Sequence, residues 1–463
     1  MTPRERGNFH LARSEWTEAA ESYREAAAAD ASDARIYTGL GFALCELGDR
    51  EAATDALTRA TSLDAKSADA HYLLGRISHE AGQVDKAIQH FEDAAACASA
   101  PEEVYRDVIR VLLDVDVTRV PSIAKLALEK FPQSAEFWFY LAVAEERVGD
   151  VASAIRSYER TCALQSGVRS AHLNLGRLLV KQQQFKRALP HLAAVATQTL
   201  DDADLHVEIG NVHVKLGDNE AAVASYTRSL ELRPNAGIAH IVACLTGETP
   251  DRAPDEYVAK LFNEYAEEFE SHLVGVLKYN TPRQLRTLID AHKESGEPGF
   301  VLDLGCGTGL MGVQVRDLAS HLVGVDLSSK MLRRAEERKI YDRLVEADLS
   351  TMMASEPDSR YELVAAADVL VYIGKLDILF SRVYRLLRPT GLFAFSVEAM
   401  SSPPASSAGF QLHAKGRYVH SREYLTGIAT KTNFEILDMR DGYCRENEGV
   451  AVASYDCVLR RAS

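Results

Sequence analysis

The 463-residue sequence is short of several things, and each shortage closes off a class of protein. Positive charge comes first. Lys and Arg number 52 against 67 Asp and Glu, so 52 − 67 leaves a net charge of −15. No basic stripe offsets this, and phosphate backbones would be repelled, which argues against a nucleic-acid partner. The seven cysteines are odd in number and scattered, at 45, 97, 162, 244, 306, 444 and 457. No CxxC pair exists, so neither a disulfide framework nor a cysteine zinc site is expected. Long apolar runs are missing too. The most apolar stretch, 363–373, is too short to span a bilayer and contains Asp368. The first sixteen residues, MTPRERGNFHLARSEW, lack the apolar core of a signal peptide. A protein that is cytoplasmic, in a reducing compartment and off the membrane is the expectation. A hydrophobic share of 46% with 26% charged residues excludes a mainly disordered chain, and the length allows two or three domains.

Repetition is what the sequence has in plenty. Gly7, Gly41 and Gly75 are spaced by 34 residues, as are Ala142, Gly176 and Gly210. The interval from Gly75 to Ala142 is 67, two periods less one. Twelve residues after each marker stands an alanine: 19, 53, 87, 154, 188 and 222. Four further on stands a large apolar residue: Tyr23, Leu57, Phe91, Tyr158, Leu192 and Tyr226. This predicts pairs of short antiparallel helices. The small markers let the two backbones approach, and the large residue fills the gap to the next pair. No pair can bury its apolar face alone, so the pairs must stack. The pattern resembles the tetratricopeptide repeat family over about 1–236, with about seven copies. The copy at about 101–134 departs from it. Its marker falls near Val108-Ile109 and the alanine is not in place, which predicts a local bend or an altered groove. The resemblance implies an arm whose groove binds a polypeptide or partner protein. A structural arm or a surface for a homo-oligomer is the other reading. The marked residues are packing residues, and Trp138 sits at a core position.

Residues 237–256 begin like another first helix, then break at Gly247, Pro250 and Pro254. That reads as a terminal cap and a linker. Beyond it, apolar residues at 258, 261, 262, 265, 269 and 273 follow helical spacing. A second helix follows Asn280-Thr281-Pro282 and carries Leu285, Leu288 and Ile289. Three parts are expected: a helical superhelix over 1–245, a linker with cap helices over 246–298, and an α/β domain over 299–463.

Residues 300–326 read as a strand, a glycine-rich turn, a helix and a second strand ending in Asp326. Strands are predicted near 300–304, 322–326, 343–347, 362–368, 391–397, 433–440 and 450–459, and helices near 310–319, 329–338, 375–388 and 421–431. The turn is Asp303-Leu304-Gly305-Cys306-Gly307-Thr308-Gly309. Alternate glycines let backbone lie against a ligand, and the helix behind them offers free N–H groups. A dinucleotide fingerprint needs GxGxxG, and Leu310 stands where that pattern wants glycine.

The set formed by this turn, Asp303, Asp326 and Glu346-Ala347-Asp348 resembles the class I methyltransferases that use S-adenosylmethionine, over about 257–463. The fold class this implies is an α-solenoid of repeat pairs followed by a Rossmann-like, seven-stranded α/β methyltransferase domain. The resemblance also implies roles. Gly305, Cys306, Gly307 and Gly309 would pass under the methionine part, with Asp303 near its amino group. Asp326 would accept both ribose hydroxyls, though it would equally suit NAD. Asp348 and the Leu349 backbone would read the adenine edge, flanked by Leu327 and Met331. Tyr265, Phe269 and Tyr279 match aromatics that close over the cofactor, and packing on the sheet is the plainer reading of each. Asp368 would face the cofactor and the substrate mouth.

A methyl transfer needs an aligned nucleophile and excluded water, and a base only if the acceptor is protonated. Asp368-Val369-Leu370-Val371 stands where amide- and adenine-methylating relatives carry Asn/Asp-Pro-Pro-aromatic, which argues against those acceptors. The segment 398–420 is where this fold inserts substrate elements. It holds His413 and His420 as base candidates, with Asp368 the third catalytic candidate. Lys415 and Arg417 read as solvated. The remaining histidines form no ligand-spaced cluster, so no metal is expected. The leading reading is a methyltransferase with a repeat arm. The alternatives are a scaffold whose cofactor domain has lost activity and, weakened by Leu310, an NAD oxidoreductase.

Overall fold

The computed structural model describes residues 1–271, 275, 277–294, 296–401, 408–447 and 450–462. Leu273 and the stretch 402–407 of the predicted substrate segment lie outside them. Two compact units result, Met1–Leu200 and Asp201–Ser463.

The first unit is a run of helices, α1–α12, from Pro3 to Gln198. They pair as α3 (Ala34–Glu46) with α4 (Arg50–Leu63), α5 (Ala68–Glu80) with α6 (Val84–Ala96), and so on. Aspartates cap many of them: Asp49 and Asp150 each accept from a backbone N–H three residues on. The marker glycines lie under the large residues of their own pairs. A Cβ on Gly7 would come within 2.8 Å of the Tyr23 ring, and one on Gly176 within 2.7 Å of Leu192. The large residue therefore fills the space over its own pair's glycine, and Tyr23 also reaches the next pair, where a Cβ on Gly39 would come within 2.5 Å of its ring. In the irregular copy, α7 (Glu102–Val115) and α8 (Val120–Lys130) still form, with a tight turn at Val117–Arg119. Val120 is fully buried twelve residues after Val108, where alanine was expected.

The absence of a histidine cluster does not hold in this unit. His172 and His191 meet with their Nδ1 atoms 3.0 Å apart, beside Cys162. His71, His90 and Asp93 gather likewise. Nineteen residues separate each histidine pair, a spacing that only the turn between paired helices converts into contact.

The second unit starts with α13 (Ala203–Leu216), α14 (Asn219–Leu232) and α15 (Ala236–Thr246), then α16 (Asp255–Tyr265) and α17 (Thr281–His292). A sheet follows, with strands β1 (Gly299–Leu304), β2 (Ala319–Asp326), β3 (Arg343–Glu346), β4 (Tyr361–Ala366), β5 (Leu387–Ala399), β6 (Phe410–Leu412), β7 (Tyr418–His420), β8 (Phe434–Asn447) and β9 (Val450–Arg461). The order β3-β2-β1-β4-β5 is parallel, and β9 then β8 continue it antiparallel. The seven predicted strands are these. The hairpin β6–β7 is additional, joined to the end of β5 through Glu398–Val419 and Ala399–His420. Strands of three residues carry too little alternation to be read from sequence.

Helices α18 (Leu310–Val315), α19 (Ser329–Glu337), α20 (Leu349–Ser355), α21 (Asp377–Leu386) and α22 (Arg422–Lys431) complete the unit. One apolar core lies between the sheet and α20–α22, around Phe380, Phe393 and Phe395. The other lies under α17, through Leu285, Leu288 and Ile289. Strand order reverses about β1, which has β2 on one side and β4 on the other, both parallel to it. Ligands of parallel α/β sheets bind outside the carboxyl ends at such a point. The segment read as a linker is pinned there. Ala253 N–H donates to Tyr372 O at 2.9 Å, and Gly374 and Lys375 N–H both donate to Asp251 O.

Candidate functional site

A cavity of about 590 Å³ opens at the carboxyl ends of β1, β2 and β4. That size suits a small-molecule ligand. Its floor is Gly305 and Gly307, Asp326 and Leu327 after β2, Leu349 and Ser350 at the start of α20, and Ala367–Val369 after β4. Its roof is one face of α16 with Phe269, Leu277 and Tyr279, and Arg417 stands at one side.

The turn is built for close approach. Gly305 and Gly307 have φ of +62° and +52°, a region that side chains disfavour. A Cβ on Gly307 would meet no protein atom within 4 Å, so its face is bare toward the cavity. The Cys306 N–H donates to Val325 O and fixes the turn to β2. Asp326 is locked from below: Oδ2 accepts from Gly307 N–H at 2.9 Å and Oδ1 from Ser328 N–H at 2.8 Å. Burial raises its pKa against these bonds, which lower it. A carboxylate held by two backbone donors keeps lone pairs for ligand hydroxyls.

Aromatic rings line the roof. Tyr265 and Phe269 meet edge to face at 5.4 Å, and Phe262 meets Tyr372 likewise at 5.4 Å. Asn263 holds α16 down, accepting from Ser328 Oγ at 2.8 Å.

Asp368 sits at φ +59°. Its N–H donates to Ser396 Oγ at 2.8 Å and its Oδ2 accepts from Arg445 at 3.1 Å. Arg445 also reaches Glu398 at 2.5 Å, and Arg417 bonds the same Glu398 at 3.2 Å. Two arginines and two carboxylates thus form a closed ion cluster beside the cavity. Sequence reasoning missed Arg445 and Glu398 and read Arg417 as solvated. In the structure Arg417 lines the cavity, its guanidinium 5.7 Å from the Tyr372 ring centre. Lys415 is exposed.

Of the predicted cofactor residues, Gly305, Gly307, Asp326, Leu327, Leu349, Asp368, Tyr265, Phe269 and Tyr279 line this cavity. Five others do not. Asp303 lies beneath the turn, 1% exposed, and accepts from Tyr341 OH at 2.7 Å. Burial raises its pKa to about 7. Tyr341, also missed, fills the space over Gly309 and Gly324. Cys306 is buried behind the turn, and Gly309 is the residue before α18. Met331 is 1% exposed, in the core. Asp348 caps α20, accepting from Ser350 and Thr351 N–H at 2.9 and 3.1 Å. An Asp followed by Ser and Thr ahead of a helix is a capping signal that the sequence already carried.

The two histidine candidates are elsewhere. His413 is exposed in the turn between β6 and β7. His420 is wholly buried, Nε2 2.9 Å from Gly374 O and its ring stacked on Tyr424. Burial drops its pKa to about 4. The buried neutral ring faces no substrate space.

Stretches of the sequence match two known families. The model described as "Methyltransferase domain" matches residues 301–391. The one described as "Tetratricopeptide repeat" matches 38–101, 124–168 and 173–237. The chain joins tetratricopeptide repeats to a methyltransferase domain. A malonyl-(acyl-carrier protein) O-methyltransferase of Pseudescherichia vulneris is 30% identical over 165 residues, 36% of this chain and 60% of that protein. The chain thus spans about 60% of that relative's length. A phosphoethanolamine N-methyltransferase of Caenorhabditis elegans is 28% identical, over 34% of this chain and 41% of its own. Among solved structures, the 1,6-didemethyltoxoflavin-N1-methyltransferase of Burkholderia thailandensis, with S-adenosylhomocysteine bound, aligns at a TM-score of 0.36 and 19% identity, covering 46% of this chain and 92% of its own. Among the described residues no helix is long and apolar enough to cross a membrane.

Proposed function

We propose that the methyltransferase domain moves a methyl group from S-adenosylmethionine to an acceptor bound at the same cavity. One observation carries this reading. Asp326 and the bare face of Gly307 line a single cavity and are bonded to each other, so a carboxylate that would hold the ribose stands beside a glycine cradle. The matched family and the methyltransferases among the relatives support it.

Bound there, the cofactor supplies an electrophilic methyl on a sulfonium centre. Asp326 would accept the ribose hydroxyls, and the Gly305–Gly307 backbone would lie along the methionine part. Leu327 and Leu349 would flank the adenine. The Tyr265 and Phe269 rings would sit near the cationic sulfur, which an aromatic face attracts. The roof of α16 would cover the reactants and hold them in line, which is where much of the rate of such a displacement comes from. Asp368, held by Arg445 and Arg417, would orient the acceptor at the inner end. Val258, Leu261, Ile373 and Ile378 share the remaining wall with Asp251, Arg252, Asp255 and Lys375, which suits an acceptor with both an apolar and a polar part. A role for the repeats in recruiting a polypeptide belongs to the same proposal, and similarity to the repeat family supports it. In place of the expected division at 245 and 298, we place the seam near Leu200, where the two compact units divide.

Calorimetry tests the core of this. S-adenosylmethionine should bind and NAD should not, and Asp326→Ala should weaken binding by at least about tenfold, given about 1.5–3 kcal/mol for hydrogen bonds to a charged group. Equal affinity in that variant would end the assignment. The scaffold reading survives only if the cofactor binds yet no acceptor fraction ever gains a labelled methyl.

A further inference from the structure

We propose that the repeat array holds a zinc site made of Cys162, His172 and His191. The three side chains come from successive helices: α10 (Val151–Leu164), α11 (Arg169–Lys181) and α12 (Phe185–Gln198). Their ligand atoms all lie within 4.8 Å of one another. His172 and His191 Nδ1 are 3.0 Å apart. Two imidazole nitrogens on a tetrahedral zinc, at about 2.05 Å each, stand about 3.3 Å apart. The pair need open by only about 0.3 Å, and the sulfur need close in by on the order of 1 Å.

The ring of His172 is already oriented as a ligand. Its Nε2 lies 3.1 Å from Ser166 O, so that nitrogen carries the proton and Nδ1 presents a lone pair. A ligating histidine ordinarily has its other nitrogen fixed in this way. In the metal-free protein His191 Nδ1–H fills the gap by donating to His172 Nδ1. On binding, that proton moves to His191 Nε2, and the thiol proton of Cys162 leaves to solvent. A sulfur and two imidazoles are a zinc donor set, with the fourth position left for water. Both histidines are partly exposed, so an ion has a way in.

The same device recurs elsewhere in the array. His71 and His90 stand four residues before and fifteen after Gly75, as His172 and His191 do about Gly176. His71 Nε2 contacts Ala65 O, again six residues back, at 3.3 Å. The Nδ1 atoms of His71 and His90 are buried with no hydrogen-bond partner, and Asp93 stands where a third ligand would. In a third copy Trp138 holds the first position and donates Nε1–H to Pro132 O, six residues back. The repeat itself sets the outward nitrogen, and histidine turns the inward one into a ligand. The His71 pair lacks sulfur and should bind zinc more weakly.

The test uses the full, tag-free chain, stripped of metal with a chelator and titrated with cobalt(II), then zinc. Bound cobalt should show a near-ultraviolet thiolate charge-transfer band and the visible bands of four-coordination, both bleached by zinc. Cys162→Ser should lose the charge-transfer band, and His191→Gln should weaken cobalt binding by at least tenfold, each with unchanged far-ultraviolet circular dichroism. His90→Gln should leave the band intact. No band in the wild type, a band that survives Cys162→Ser, or a band lost in His90→Gln would overturn the site.

Discussion

The two units hold themselves together over different distances along the chain. In the repeat array a contact such as Gly41 with Leu57, or Tyr23 OH donating to Asn8 Oδ1 at 2.6 Å, joins residues about sixteen apart. In the sheet unit Asp368 finds Arg445 across 77 residues, and Lys278 finds Glu446 across 168. The array is a chain of neighbours, each replaceable without touching distant copies. The sheet unit is a closure in which one lost partner strands the others.

That contrast can be broken by mutation, most severely in the ion cluster. Arg445, Asp368 and Glu398 have side chains only 8%, 13% and 10% exposed. Arg445→Met leaves two buried carboxylates on Arg417 alone and should cost about 3–5 kcal/mol. Hydrogen exchange should quicken across β4, β5 and β8 together. A change confined to β8 would show that the cluster is not a closure.

Acidity gives the next effect. The Asp303 pKa rises from an ordinary 3.8 to about 7 through burial, so between those values the folded chain binds a proton that the unfolded chain has released. Stability from this group is whole below about pH 4 and is lost as pH rises toward 7. Asp303→Asn, which keeps an acceptor for Tyr341, should flatten that slope. Between pH 5 and 7 the two proteins should diverge by up to about 3 kcal/mol, at about 1.36 kcal/mol per unit. Parallel denaturation midpoints across that range would sink the claim.

In the array, Gly41→Val should cost about 1–3 kcal/mol by overpacking against Leu57. Leu57→Ala in the same chain should recover part of it, and exchange should change only in α3, α4 and their neighbours. The smallest effect is at His413, exposed in a turn. His413→Ala should change stability by less than about 0.5 kcal/mol and leave the methyl-transfer pH profile in place. A lost limb of that profile would restore His413 as a base.

The same contrast decides what could be read in advance. A period of 34 residues reports each local contact again and again, so the helix pairs and their buried markers were legible. The glycine turn and Asp326 were legible because one βαβ unit of under thirty residues contains both. Arg445 was not, since nothing near β8 in the chain says that Asp368 lies beside it. Tyr341 was hidden for the same reason, and its hydrogen bond to Asp303 places that carboxylate beneath the turn. The histidine pairs were hidden by arithmetic: nineteen residues is no metal spacing until a hairpin folds it in half.

Helix α15 has a consequence for anyone recombining these parts. Ala243 and Cys244 are buried in one cluster with Val258, Phe410 and Tyr418, and the His240 ring lies tilted against Tyr257 at 5.0 Å. A cut at the apparent end of the repeats would strip a wall from the hairpin β6–β7 and bare its greasy side. The last helices therefore travel with the sheet domain rather than with the arm. A graft of this arm onto another catalyst, or of another arm onto this one, has its natural seam near Leu200, some forty-five residues earlier than the repeat pattern advertises.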